Sequence, residues 1–119
     1  MSVRNTKLIM YGVEIQYPHY KSIEGEDEQR SEELDIFYAR EPGKVGILSD
    51  GMNGGYAVAG TIIARFDDDE MFLSSGPTKL SDLFNTAINK DRQKEVVDQL
   101  EKIMGYRPIC DYIFINHWH

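Results

Sequence analysis

Apolar and polar residues alternate along several stretches of this chain, and a period of two is typical of strands in a half-buried sheet. The clearest stretch is 44–66, KVGILSDGMNGGYAVAGTIIARF, which predicts strands at Val45–Ser49 and Tyr56–Phe66. Between them, Asn53-Gly54 favours a type I′ turn, because both central residues of that turn need a positive φ. Both faces of the second strand are mostly apolar, so we expect it to be central and covered on both sides.

Two further strands are expected, one before and one after this hairpin. The first is Lys7–Tyr17, ended by Pro18, and its alternation assigns one apolar face: Ile9, Tyr11, Val13, Ile15 and Tyr17. In the last strand, Ile109, Asp111, Ile113 and Ile115 alternate with Cys110, Tyr112, Phe114 and Asn116. This strand is expected to return to the sheet after the helical part of the chain.

The segment Leu34–Arg40 fits two structures. Ser31 would cap a helix there, whereas alternation of apolar residues would place a strand. We favour the strand, because the residues at 41–44 (Glu-Pro-Gly-Lys) suit a type II turn and another strand follows.

Residues 79–105 have the period of amphipathic helices. One apolar stripe consists of Leu80, Leu83, Phe84, Ala87 and Ile88, and a second consists of Val96, Val97, Leu100, Ile103 and Met104. Asp91 is predicted to cap the second helix, and Gly105 suits its C-terminal end. The whole chain is therefore predicted to be one α+β domain over 1–119: a mainly antiparallel sheet of four to five strands, a C-terminal helical segment packed on one face, and a final strand.

Charge narrows the range of partners. The chain has 13 Lys and Arg residues against 20 Asp and Glu residues, a net charge of −7. This balance disfavours direct nucleic-acid binding, which relies on cationic side chains, and is compatible with docking on a basic protein surface. The candidate docking residues form two acidic segments: Glu24, Glu26, Asp27 and Glu28, and Asp67, Asp68, Asp69 and Glu70. The simpler interpretation is that these are solvated loops that maintain solubility.

Three patterns contain residue types that could carry chemistry. His117 and His119 would share a face of the last strand and could bind a metal ion together with a third ligand from His19, Asp111 or an acidic side chain elsewhere. Cys110, the single cysteine, excludes an internal disulfide and suits a small buried position better than a nucleophile. The glycine-bearing loop at 50–55 lacks the lysine and the following helix of a phosphate-binding loop.

These observations favour a non-enzymatic protein-binding module, such as an inhibitor, immunity factor or adaptor, without a cofactor. One alternative is a ligand-binding or metal-binding protein, or a small enzyme, that uses the central hairpin loop and the C-terminal histidines. Another is a homo-oligomeric subunit that assembles through a sheet edge or the aromatic C-terminus. With no recognisable leader or apolar span, a cytoplasmic location without membrane association is expected. A short, acidic chain poor in motifs is typical of accessory proteins of phages and mobile elements.

Overall fold

A computed structural model describes residues 5–16, 25, 33–37, 43–50, 55–67 and 88–118. These residues form four strands and one helix. In chain order they are β1 (Asn5–Ile15), β2 (Val45–Ser49), β3 (Ala57–Asp67), α1 (Lys90–Met104) and β4 (Asp111–Trp118). The strands make one antiparallel sheet in the order β2-β3-β1-β4. The predicted α+β class is therefore confirmed, as is the central position of β3.

The predicted hairpin is present as β2 and β3, which pair from Val45 opposite Thr61 to Ser49 opposite Ala57. Asp50 joins their ends: its N–H donates to the carbonyl of Tyr56 at 2.9 Å, and its carboxylate accepts from the N–H of Gly55 at 3.0 Å. The predicted Asn53-Gly54 turn lies outside the described residues. The base of the hairpin is thus held by one aspartate.

The assignment of one apolar face to the first strand was wrong. Leu8 and Met10, expected on its polar face, are both fully buried, and Tyr11 on the other face is buried as well. The reason is that both faces of β1 are covered: Leu8 and Met10 pack in a cluster with Ile36 and Phe37, and Tyr11 packs in the cluster that contains the buried residues of α1.

A β-bulge changes the faces of β3. Ile9 is opposite Ala64 but the next residue of β1, Met10, is opposite Ile62, so Ile63 is the extra residue of β3. Strict alternation would place Arg65 on the same face as Ala57. The bulge moves it to the opposite face, where it lies across from Leu8.

The preference for a strand at 34–40 is not supported over its described part, 34–37. Residues 33–34 are helical, and Asp35 makes only an isolated bridge to Ile47, which is parallel rather than antiparallel. The carboxylate of Asp35 accepts the N–H of Phe37 at 2.9 Å and so turns the chain. As a result Ile36 and Phe37 are both buried, with 2% and 3% exposure, against one face of the sheet.

The sheet curls strongly over this face. On β1, Thr6 is opposite His117 of β4 and Ile15 is opposite Ala57 of β3. Nine residues of flat strand would separate these levels by about 30 Å. Yet the hydroxyl of Tyr56, which precedes Ala57, lies 2.6 Å from Nδ1 of His117. The sheet is therefore strongly twisted and curled, so that the start of β3 and the end of β4 come together over one face.

A row of glycines crosses three strands within this curled sheet: Gly46 is opposite Gly60, which is opposite Gly12. A Cβ atom built on Gly60 would lie 2.7 Å from Cα of Gly12 and closer still to the carbonyl oxygen of Tyr11. The strands can approach this closely only without side chains here, as is common at the corners of barrels.

Helix α1 packs on the outer face of the curl, with Val96, Leu100 and Met104 buried against the sheet. Its N-cap is Asn89, whose side chain accepts the N–H of Arg92 at 2.8 Å, and not Asp91 as predicted. Asn89 is the N-cap because its backbone is extended, as a capping residue requires, whereas Asp91 already lies inside the helix. Gly105 ends the helix at φ 83° as predicted. The predicted helix at 80–87 lies outside the described residues.

Candidate functional site

Polar and aromatic side chains converge inside the curl, where the hairpin base meets the end of β4. His117 is 4% exposed and is contacted by Tyr56 through the 2.6 Å hydrogen bond. The ring of Phe37 packs against the imidazole in a tilted arrangement, with 4.5 Å between centroids and 55° between the ring planes. We call Tyr56, His117 and Phe37, together with Arg65, the inner cluster.

Arg65 completes the inner cluster from the bulged part of β3. Its guanidinium lies 4.4 Å from the centroid of the Phe37 ring and donates to the carbonyl oxygen of Phe37 at 2.9 Å. A cation over an aromatic face is stabilising, and the backbone hydrogen bond fixes its orientation. The bulge is therefore what brings a cation to this site.

Tyr56 also reaches the outer edge of β4. Its hydroxyl lies 3.5 Å from the carbonyl oxygen of Asn116, and the backbone of Trp118 hydrogen-bonds to it. Burial, followed by the negative charge of Asp50, raises the pKa of Tyr56 to about 12. The hydroxyl is therefore neutral at physiological pH, and we assign it as the donor to Nδ1, which places the imidazole hydrogen on Nε2.

The raised pKa predicts a loss of stability in alkali. The ordinary pKa of tyrosine is 10.0, and below this pH the Tyr56 hydroxyl is protonated in both the folded and the unfolded chain. Its full contribution to the free energy of unfolding is then present. Between that pH and about 12 the unfolded chain ionises first, so the free energy of unfolding falls as pH rises. Urea unfolding above pH 10 should therefore show a steeper fall for the wild type than for Tyr56→Phe.

Tyr106→Phe is the control, because this tyrosine is 47% exposed. Burial raises the pKa of Tyr11 too, but Tyr11 is present in all three proteins and cancels in the comparison. Equal pH slopes for wild type and Tyr56→Phe would contradict the assigned role of Tyr56.

The predicted metal site is only partly described, since His119 and His19 lie outside the described residues. His117 is engaged by Tyr56 and Phe37. Asp111 is opposite Gly12 whereas His117 is opposite Thr6, six residues further along β4, so their backbones are about 20 Å apart. Asp111 is therefore too distant to be the third ligand. Among the described residues, no three His, Cys, Asp or Glu side chains are grouped to hold a metal ion.

Of the predicted acidic docking residues, only Asp67 is in the described part of the chain, as the last residue of β3. Glu24, Glu26, Asp27, Glu28, Asp68, Asp69 and Glu70 lie outside it. Asp67 is opposite Thr6, and Thr6 is opposite His117 on the other side. The second acidic segment thus starts at the end of the sheet where β4 finishes, two strand spacings away, or about 10 Å.

Apolar side chains are exposed along the C-terminal part of the chain. The large hydrophobic residues exposed in the described structure are Tyr106, Ile109, Tyr112, Phe114 and Trp118. Those of β4 share one face because they are separated by even numbers of residues. Sequence patterning identified the strand but not this exposure, which depends on how far α1 extends over the sheet. Exposed apolar patches of this kind commonly mark interaction surfaces.

Cys110 is partly buried, and this burial raises the pKa of its thiol. A raised pKa lowers the fraction of reactive thiolate, which agrees with the packing role expected from the sequence.

No protein-family model, curated protein or solved structure matches this chain. No helix within the described residues is both long enough and apolar enough to cross a membrane.

Proposed function

We propose that this protein is a binding module that docks on the basic surface of another protein through its two acidic segments. The observation that carries the proposal is the excess of seven negative charges, concentrated at Glu24–Glu28 and Asp67–Glu70. Opposite charges across an interface accelerate encounter and select the partner, and an inhibitor or adaptor needs no catalytic group. The second segment begins at Asp67, the last residue of β3, which supports its use as a contact at the end of the sheet.

The experiment is affinity capture from host lysate with the wild type and two amide variants. One variant carries Glu→Gln and Asp→Asn changes at Glu24, Glu26, Asp27 and Glu28, and the other carries them at Asp67, Asp68, Asp69 and Glu70. A partner that the wild type retains should be lost by at least one variant, and binding should weaken as salt rises.

The matched control is a variant with charge removed from the outer face of α1, Glu95→Gln with Glu101→Gln. Both side chains are exposed on α1. If this control lost the partner to the same extent, partner binding would depend on net charge alone and not on the two acidic segments. A partner indifferent to both segment variants would refute acidic docking.

Ligand binding at the hairpin loop is the second candidate function. The convergence of Tyr56 and His117, with Asp50 close enough to affect the pKa of Tyr56, supports it. The 4% exposure of His117 weakens it, because a ligand would have to displace packed side chains.

A further inference from the structure

One side chain, Tyr56, ties the base of the β2–β3 hairpin to the end of β4. Its hydroxyl lies 2.6 Å from Nδ1 of His117, and the two rings meet edge to face with 6.0 Å between centroids. The backbone N–H of Trp118 donates to the same hydroxyl oxygen. In the sheet β1 lies between β3 and β4, so no ladder of backbone hydrogen bonds joins these two strands. The hairpin base is therefore held on β4 by a side-chain contact.

This contact suits a neutral imidazole. The Tyr56 hydroxyl donates to Nδ1 of His117, and Nε2 already carries the ring hydrogen. A second proton on the imidazole would occupy Nδ1 and remove the acceptor. The hydroxyl hydrogen would then have to turn to the carbonyl oxygen of Asn116, which is 3.5 Å away and at the limit of a hydrogen bond. Protonation of His117 thus removes the best hydrogen bond of the contact.

The surroundings of His117 also favour the neutral form. The residue is 4% exposed, so little water is available to hydrate an imidazolium. The Phe37 ring that packs on the imidazole also carries the Arg65 guanidinium, 4.4 Å from its centroid. A protonated His117 would therefore place a second cation against the same aromatic ring, where like charges repel.

The other charged groups around this face of the sheet act more weakly. Three exposed carboxylates lie on β1 and on residues 33–37, where water screens them: Glu14, Glu33 and Asp35. The buried Asp50 carboxylate acts on Tyr56 but accepts the N–H of Gly55 at 3.0 Å. Asp67 begins two strand spacings from His117, and Lys7 is opposite Asn116, on the other face of the sheet. Burial acts on the imidazole itself, so the neutral form remains favoured.

We propose that Tyr56 and His117 form a pH-sensitive latch, which is closed while the imidazole is neutral and opens when the imidazole gains a proton. The ordinary pKa of histidine is about 6.5, so the change belongs to mildly acidic conditions. Opening separates the hairpin base from the end of β4 and admits water to the inner cluster. The ladder between β1 and β4 still holds the strand, so the rest of the sheet remains folded.

Amide hydrogen exchange of Trp118, measured by NMR at pH 7 and pH 5, tests the latch. Each rate is divided by the intrinsic rate at that pH, and EDTA is present so that metal ions do not compete for the imidazole. The protection of the Trp118 N–H should fall by about tenfold at pH 5, because the open form takes up the proton more readily than the closed form. Amides of the ladder between β1 and β3 should keep their protection, since the opening is local.

Three variants assign the response to the latch. His117→Gln cannot gain a proton in this range, so its Trp118 protection should be the same at both pH values. Tyr56→Phe lacks the hydroxyl that holds the Trp118 N–H, so this amide should exchange rapidly at both. His119→Gln is the matched control, because it removes a neighbouring histidine and should respond like the wild type. Far-UV circular dichroism verifies that each variant is folded.

A further variant keeps the test decisive if His117→Gln does not fold. The chain has three histidines, so His19→Gln with His119→Gln leaves His117 as the single one. Its imidazole resonance should titrate with the same midpoint as the loss of Trp118 protection. Equal protection of the wild type at pH 7 and pH 5 would overturn the proposal, as would the same loss in His117→Gln or two different midpoints. No residue of the acidic segments is changed, so the result is independent of the proposed function.

Discussion

Gly60→Ala is expected to abolish folding or to lower the free energy of unfolding by about 4 kcal/mol or more. The added methyl carbon would lie 2.7 Å from Cα of Gly12 and 2.9 Å from the carbonyl carbon of Tyr11. Both obstacles are backbone atoms of the central strand, so no side chain can rotate away. The steric clash can be removed only if β1 and β3 move apart, which would break the backbone hydrogen bonds that pair these two strands.

Gly105→Ala separates this steric effect from the ordinary cost of replacing glycine. Gly105 has φ 83°, but nothing lies within 4 Å of the position that an added methyl carbon would take. Its replacement should cost only the left-handed backbone penalty, about 1–2 kcal/mol. Urea unfolding followed by circular dichroism measures both variants. Similar losses for the two would show that the strands do not approach closely at the glycine row.

Leu100→Ala is expected to lower the free energy of unfolding by about 3 kcal/mol. Leu100 is fully buried between α1 and the sheet, in the same cluster as Val96 and Met104. Truncation removes apolar contacts and leaves a cavity between two rigid elements, which cannot collapse fully. The same urea experiment measures the loss.

The neighbouring residue supplies the control, because Gln99 is exposed on the same turn of α1. Gln99→Ala should change stability by no more than about 0.5 kcal/mol. If the two variants were equally stable, α1 would not be packed on the sheet as described. The pair therefore tests the helix–sheet contact independently of the glycine row.

The candidate sites differ in how far the sequence could predict them. His117 was singled out by its spacing from His119, but its observed partners, Tyr56 and Phe37, are far away along the chain. The spacing of residues along the sequence cannot predict these contacts, because only the curl of the sheet brings the three side chains together. The exposed aromatic residues of β4 were likewise visible as a pattern. Their accessibility depends on the extent of the helix above them.

Local patterns predicted the four strands and α1, although not the structure of residues 34–37. The alternation of apolar residues predicted the hairpin, the first strand and the last strand, and the period of α1 predicted its buried stripe up to Gly105. Such patterns are reliable because they reflect side-chain geometry within a single element, with a period of two in strands and 3.6 in helices.

The tertiary structure alone decided which faces are covered and which groups meet. Leu8 and Met10 are buried because Ile36 and Phe37 pack over their face of β1, and Arg65 changes face because one residue bulges from β3. The inner cluster forms because a row of glycines lets three strands approach closely within a sheet that curls. Each of these outcomes depends on pairing between distant segments, whose register and curvature are set by the packing of the whole sheet rather than by any one stretch of residues.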